Sequence, residues 1–156
     1  MSGQTFQVDL TRADVTPQFP IGTVHVTDKG YTYKYLQADG AVTKDLLYTI
    51  DENGQILDAL TTTIAASGKT FPLCISPVTL ADNEYCWCFV GPGQITLNTA
   101  AATAANAKIY TTATGGKVDD DSSGGTVLIP CIVAPTAIGS ATTGTFIAYS
   151  RMYVTN

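Results

Sequence analysis

Charge is what this chain has least of. Only 13% of its residues are Asp, Glu, Lys or Arg, about half the usual quarter, and the eight basic residues are scattered. With a formal net charge of -5, no stretch can neutralise a run of phosphates, so nucleic acid is not an expected partner. The lack of a basic amphipathic stretch argues equally against an anionic membrane surface. No apolar run approaches the roughly 20 residues that span a bilayer. Residues Met1, Ser2, Gly3 and Gln4 show no secretory leader, so synthesis in a cytoplasm is expected.

Histidine is nearly absent too. His25 stands alone, and in the alternation of Thr23 to Thr27 it falls on the strand face opposite Val24 and Val26, the exposed one by expectation. No nucleophile-elbow motif accompanies it, so no catalytic residues are assigned and the chain is read as a non-enzyme. The cysteines are Cys74, Cys86, Cys88 and Cys131. The Cys86-Trp87-Cys88 spacing does not suit a zinc knuckle, and reduced, buried thiols packing as small apolar groups are expected, with no metal and no cofactor. Asp119, Asp120 and Asp121 lack the alternating carboxylates of a calcium loop and read as a solvated turn.

Long helical periodicity is missing, whereas short β-branched and aromatic runs separated by Gly, Pro, Asn and Asp abound. Strands are predicted near 22–27, 31–38, 46–50, 55–63, 72–77, 84–90, 94–98, 107–112, 116–118, 127–133 and 145–154. Asp28-Lys29-Gly30 and Glu52-Asn53-Gly54 read as hairpin turns, the second through an Asn-Gly step suited to a type I′ turn. Residues 99–107, rich in Ala, read as a loop or one helical turn. The fold class is all-β, a small antiparallel barrel or sandwich over 21–156 with an extended N-terminal arm over 1–20. An echo runs through it: Leu47-Tyr48-Thr49, Gly54, Ile56 and Asp58 recur 62 positions later as Ile109-Tyr110-Thr111, Gly116, Val118 and Asp120. Two similar hairpins are implied, which could occupy related positions of a small barrel or sandwich, chance matching between two threonine-rich hairpins being the alternative.

Pro17 and Pro20 hold the arm extended. Its apolar residues Phe6, Val8, Leu10, Val15 and Phe19 cannot bury one another and favour a neighbouring surface, a first strand or a disordered tail being the alternatives. Removal of 1–20 is expected to leave the β domain folded. Tyr31, Tyr33 and Tyr35 line one face of a strand, which suits a half-buried core, a protein interface or a sugar platform. These eight residues are the candidate contacts with a partner or another protomer.

Four segments carry a family resemblance: Thr27 to Ala38, Ala81 to Pro92, Ala104 to Asp120 with its Lys108-Ile109-Tyr110-Thr111-Thr112-Ala113-Thr114-Gly115-Gly116-Lys117 core, and Gly125 to Val133. In this order they resemble the small head decoration, or cement, proteins of podophage-like tailed bacteriophages, departing at Cys86 and Cys88, where small or apolar residues are expected, and at the C-terminal Ser150-Arg151-Met152-Tyr153-Val154. The resemblance implies a non-catalytic virion protein on the capsid exterior that bridges neighbouring capsomers, with the major capsid protein as its partner. A weakly charged surface is cheap to desolvate at such permanent interfaces, and a homotrimer would match the threefold sites of a shell. The alternative from another class is a carbohydrate-binding fibre or adhesin module, resting on the tyrosine face and Trp87.

Overall fold

The computed structural model describes residues 8–67, 70–122, 126–139 and 142–154. Among them are twelve strands and one helical turn: β1 (Val24–Val26), β2 (Thr32–Ala38), β3 (Leu47–Ile50), β4 (Gln55–Ala59), α1 (Thr62–Ala65), β5 (Phe71–Ile75), β6 (Tyr85–Phe89), β7 (Gly93–Asn98), β8 (Lys108–Thr111), β9 (Val118–Asp119), β10 (Leu128–Val133), β11 (Thr143–Ala148) and β12 (Tyr153–Val154). The all-β expectation holds.

Turn chemistry places the first strands. β1 and β2 pair antiparallel across Asp28-Lys29-Gly30, where Gly30 takes φ 79°. β3 and β4 also form a hairpin, but not with a type I′ turn, which needs positive φ at both central residues. Of residues 52–54 only Gly54 has positive φ, at 82°. The turn is shaped instead by the Asp51 carboxylate, which accepts from the Asn53 and Gln55 amides at 2.9 and 2.6 Å. An Asp side chain here does the work of a backbone turn bond.

The pairings β2–β4, β4–β3, β3–β5, β5–β6 and β6–β2 close into a ring, with β1 and β12 attached at its margins. β2–β4 is parallel and the rest of the ring antiparallel. Alternation puts Leu36, Ala38, Ile50, Ile56, Cys74, Cys86, Cys88 and Val90 into one buried cluster inside this ring. Fully buried members such as Leu36 and Ile56 contribute about 1.5–3 kcal/mol each. The second sheet runs β7-β11-β10-β8-β9, and its two ends meet where Thr99 bridges Val118, again in parallel.

The two rings share one topology. β2, β3, β4, β5 and β6 have the same partners and directions as β7, β8, β9, β10 and β11. Details repeat as well. The doubly bonded bridge Val42–Leu80 corresponds to Thr103–Ile138. The left-handed residues Asp45 (φ 60°) and Gly54 correspond to Asn106 (φ 59°) and Gly116 (φ 73°). The Asp45 amide bonds the Ser76 carbonyl as the Asn106 amide bonds that of Ala134, at 3.0 and 2.8 Å. The two echoing hairpins are therefore equivalent parts of a tandem repeat, with Gly54 and Ile56 matching Gly116 and Val118, but Leu47 corresponds to Lys108, one residue before the Ile109 that the sequence echo matched to it. Equivalent residues are 61 apart in the first two strands, 62 apart in the third and 58 apart in the last two, as Leu47↔Ile75 against Lys108↔Val133, Ile50↔Ile56 against Thr111↔Val118 and Ile75↔Phe89 against Val133↔Ile147 show.

That four-residue difference falls beside α1, where the expected strand 55–63 stops at Ala59. The Thr61 hydroxyl accepts from the Ile64 amide and starts a helical turn, an N-cap role that its β-branched neighbours conceal in the sequence. The expected strand 145–154 is likewise two: β11 belongs to the second sheet and β12 to the first. Between them Tyr149, Ser150 and Arg151 are exposed, and the Met152 amide bonds the Val90 carbonyl at 2.9 Å to turn the chain onto the first ring. Residues 99–107 form a loop pinned by the Thr103 bridge, with no helical turn.

Candidate functional site

The outward faces of β2 and β6 carry the aromatic residues. Their register sets Tyr33 against Phe89, Tyr35 against Trp87 and Gln37 against Tyr85. On this face Trp87 lies 5.2 Å from Tyr35, and Tyr35 stacks on Tyr85 at 6.0 Å. Residues 8–20 run across it. Phe19 packs 5.2 Å from Tyr35 and 5.0 Å from Trp87, and Val8 and Leu10 are partly buried on the same core. Asp14 joins the edge of β6 through paired backbone bonds with Tyr85, at 2.8 and 2.9 Å. Its carboxylate accepts from the Tyr35 hydroxyl at 2.8 Å, and that hydroxyl accepts from the Gln18 amide at 3.1 Å. Arg12 Nε stands 2.8 Å from the other Asp14 oxygen, close enough for Coulomb attraction although it is not aligned as a hydrogen bond.

The candidate contacts therefore separate. Tyr35 is fully buried and Tyr33 nearly so, which corrects their assignment as surface contacts: these rings are the floor on which the chain's own N-terminal segment rests. Tyr31 is half-buried, its ring over Gly93, where a Cβ would come within 2.6 Å. The tyrosines form no open sugar platform. Val8, Leu10 and Phe19 rest against their own domain, and Val15 points outward, 78% exposed. Phe6 lies outside the described residues.

Burial is the main cause that pushes the Tyr35 phenol up to about 12; the Gln18 amide lowers it, and the nearby Asp14 carboxylate raises it further. Tyr33 is also raised by burial, then by Tyr31. A buried phenol that stays protonated is a structural hydrogen-bond donor at neutral pH.

The thiols divide three to one. Cys74, Cys86 and Cys88 sit inside the first ring and Cys131 in the larger core outside it, all buried and unpaired. The shared face expected for Cys86 and Cys88 is the inner one. Their sulfurs are 3.3 Å apart, and the Ser76 hydroxyl is 3.3 Å from that of Cys86. The hydrogen bond to Cys88 and then burial raise the Cys86 thiol far above its ordinary range, burial raises Cys88 well above it, and burial also raises Cys131. Such thiols are protonated and poor nucleophiles. Among the described residues no group of three His, Cys, Asp or Glu side chains is arranged to hold a metal ion.

His25 reverses its expected face. It is half-buried, 5.7 Å from Trp87, while Val24 and Val26 are 49% and 57% exposed. Period-2 alternation fixes that the faces differ but not which one meets the core, and Trp87 decides it. The acidic run is only partly a solvated turn: Asp119 lies in β9, and the Asp120 carboxylate accepts from the Ala104 amide at 2.8 Å. Beyond Val15, the exposed large apolar groups among the described residues are Ile21, Val24, Val26, Tyr149 and Tyr153, none of which the sequence marked as a contact. Two shallow clefts, of 250 Å³ along β8 and β10 and of 160 Å³ between Arg12 and Trp87, are smaller than the roughly 300 Å³ at which small-molecule sites begin. No family model and no curated protein matches the chain.

Proposed function

We propose that this is a structural protein of a tailed-bacteriophage virion, which binds the outer surface of the icosahedral shell and cements neighbouring capsomers without catalysing a reaction. The tandem repeat carries the reading. One chain presents two closed sheets of the same topology, and so two scaffolds for contact, to a lattice built from copies of one capsid protein. Once the first contact forms, the second becomes intramolecular, with an effective concentration set by the spacing of the two rings. The weakly charged surface fits the same role, because little charge must be desolvated where it is covered. The segments that resemble decoration proteins include β2, β6 and the β8–β9 hairpin, which belong to the repeat. Val15 and the other exposed apolar groups are available for contact, and a cyclic trimer at threefold sites remains the proposed arrangement.

The test is to mix the purified chain with undecorated capsids and image the particles. Added density at symmetry-related outer sites is expected. Bare capsids would overturn the reading, and binding to isolated glycans with bare capsids would move it to a fibre module.

A further inference from the structure

β1 has one partner and one open edge. The Thr23 carbonyl accepts from the Tyr35 amide and the Thr27 amide donates to the Tyr31 carbonyl, with His25 opposite Tyr33 between them. In an antiparallel ladder the bonded pairs alternate, so Thr23, His25 and Thr27 face β2. The amides and carbonyls of Val24 and Val26 point away from it, and among the described residues no strand or bridge pairs with that edge. β1 also has no counterpart in the second ring, so closing the barrel does not require it.

Open edges are normally blunted by Lys, Pro, an inward charge or a bulge. Thr23-Val24-His25-Val26-Thr27 contains no Lys, Asp, Glu or Pro, and both valines are about half exposed. The stretch also reads the same in both directions. A pairing about a twofold axis must set residue i against j and j against i, and a palindromic edge meets that condition with like chemistry at every position. Centred on His25, it opposes Val24 of each copy to Val26 of the other, uses the free amides and carbonyls of both valines, and covers their side chains.

We propose that β1 is a self-association edge through which two copies of this chain join by antiparallel pairing of Thr23 to Thr27, with the twofold axis at His25. The pairing is independent of any role on a shell. Where cyclic trimers also form, it links one ring of three to the next.

The register is tested by cross-linking. Val24→Cys and Val26→Cys variants carrying different tags are oxidised separately and mixed. Paired residues lie about 5.5 Å apart between Cα atoms, within disulfide reach, whereas position 24 against itself is offset by two residues and exceeds about 7 Å. A disulfide-linked pair of differently tagged chains is expected from the mixture, and little product from either variant alone. Light scattering on the unmodified chain should give an even number of copies. Val26→Pro, which removes an outward amide that β2 does not use, and Val24→Lys/Val26→Lys should each halve that number, with circular dichroism unchanged. An odd copy number, an unchanged mass in both folded variants, or equal cross-linking by the single variants would overturn the pairing. A chain single in solution that cross-links through position 24 only to capsid protein would overturn it as well.

Discussion

The carbonyl of Gly116 accepts a hydrogen bond from the Leu47 amide at 2.9 Å, tying the turn of the second ring's hairpin to the first ring's strand β3. The Gly116 amide continues the contact by donating to Leu60 at 2.8 Å, and the Leu60 amide returns to Leu47 at 2.9 Å. The hairpins that echo each other in sequence thus meet where the two rings join.

Replacing Gly116 by Ala should be costly at this junction. Its φ of 73° strains any side chain, and a Cβ would stand 2.6 Å from the Leu46 Cβ and 3.0 Å from the Leu47 carbonyl. A loss of about 2–4 kcal/mol is expected from strain and overpacking together. Gly139→Ala, where a Cβ meets nothing within 4 Å, should change stability by less than about 0.5 kcal/mol. Urea midpoints of the two variants check this.

The N-terminal segment should behave as part of the barrel's packing. Deleting residues 1–20 removes Phe19 from Trp87 and Tyr35 and takes away the Asp14 bridge. The emission of Trp87, the single tryptophan, should shift to the red and the unfolding midpoint should fall. Tyr35→Phe should cost about 1–3 kcal/mol, because the buried Asp14 carboxylate loses a donor. Unaltered emission and midpoint in the truncated chain would show that the segment contributes nothing to the fold.

Tyr35 should contribute its own part of the protein's loss of stability in alkali. Its folded pKa is raised from 10.0 to about 12, so the folded state holds the proton that the unfolded state releases first. The stabilisation is fully present below pH 10 and is lost as pH rises from there through about 12. Tyr35→Phe should flatten this part of the stability curve. An equally steep alkaline loss in that variant would assign the effect to other groups.

All four thiols should resist alkylation in the folded protein and react together on unfolding. Each is buried, and the Cys86, Cys88 and Cys131 thiols are raised in pKa, so both access and thiolate are lacking. Mass spectrometry after iodoacetamide, with and without denaturant, checks this. Rapid labelling of Cys86 or Cys88 under native conditions would mean that the first ring opens.

Strand positions and turns were legible in the sequence because they depend on local chemistry. β-branched runs, Gly30 and Gly54 act within a few residues, and the hairpins β3–β4 and β8–β9 carry similar residues at Gly54 and Ile56 and at Gly116 and Val118. The alternation of Cys86 and Cys88 against Tyr85, Trp87 and Phe89 was equally plain, since opposite faces follow from the pleat alone.

Tertiary structure decided which face goes inside and where a strand leaves its sheet. Val24 and Val26 look like core residues and are exposed because Trp87 takes His25 against it. Tyr35 looks like a contact residue and is buried because residues 14–19 cover it. The break between β11 and β12 and the closure of each ring through a parallel contact depend on residues distant in the chain. Local propensity is worth tenths of a kcal/mol per residue, whereas burying one side chain is worth about 1.5–3 kcal/mol. Where the two compete, packing determines the outcome, and packing partners are visible only once the chain has folded.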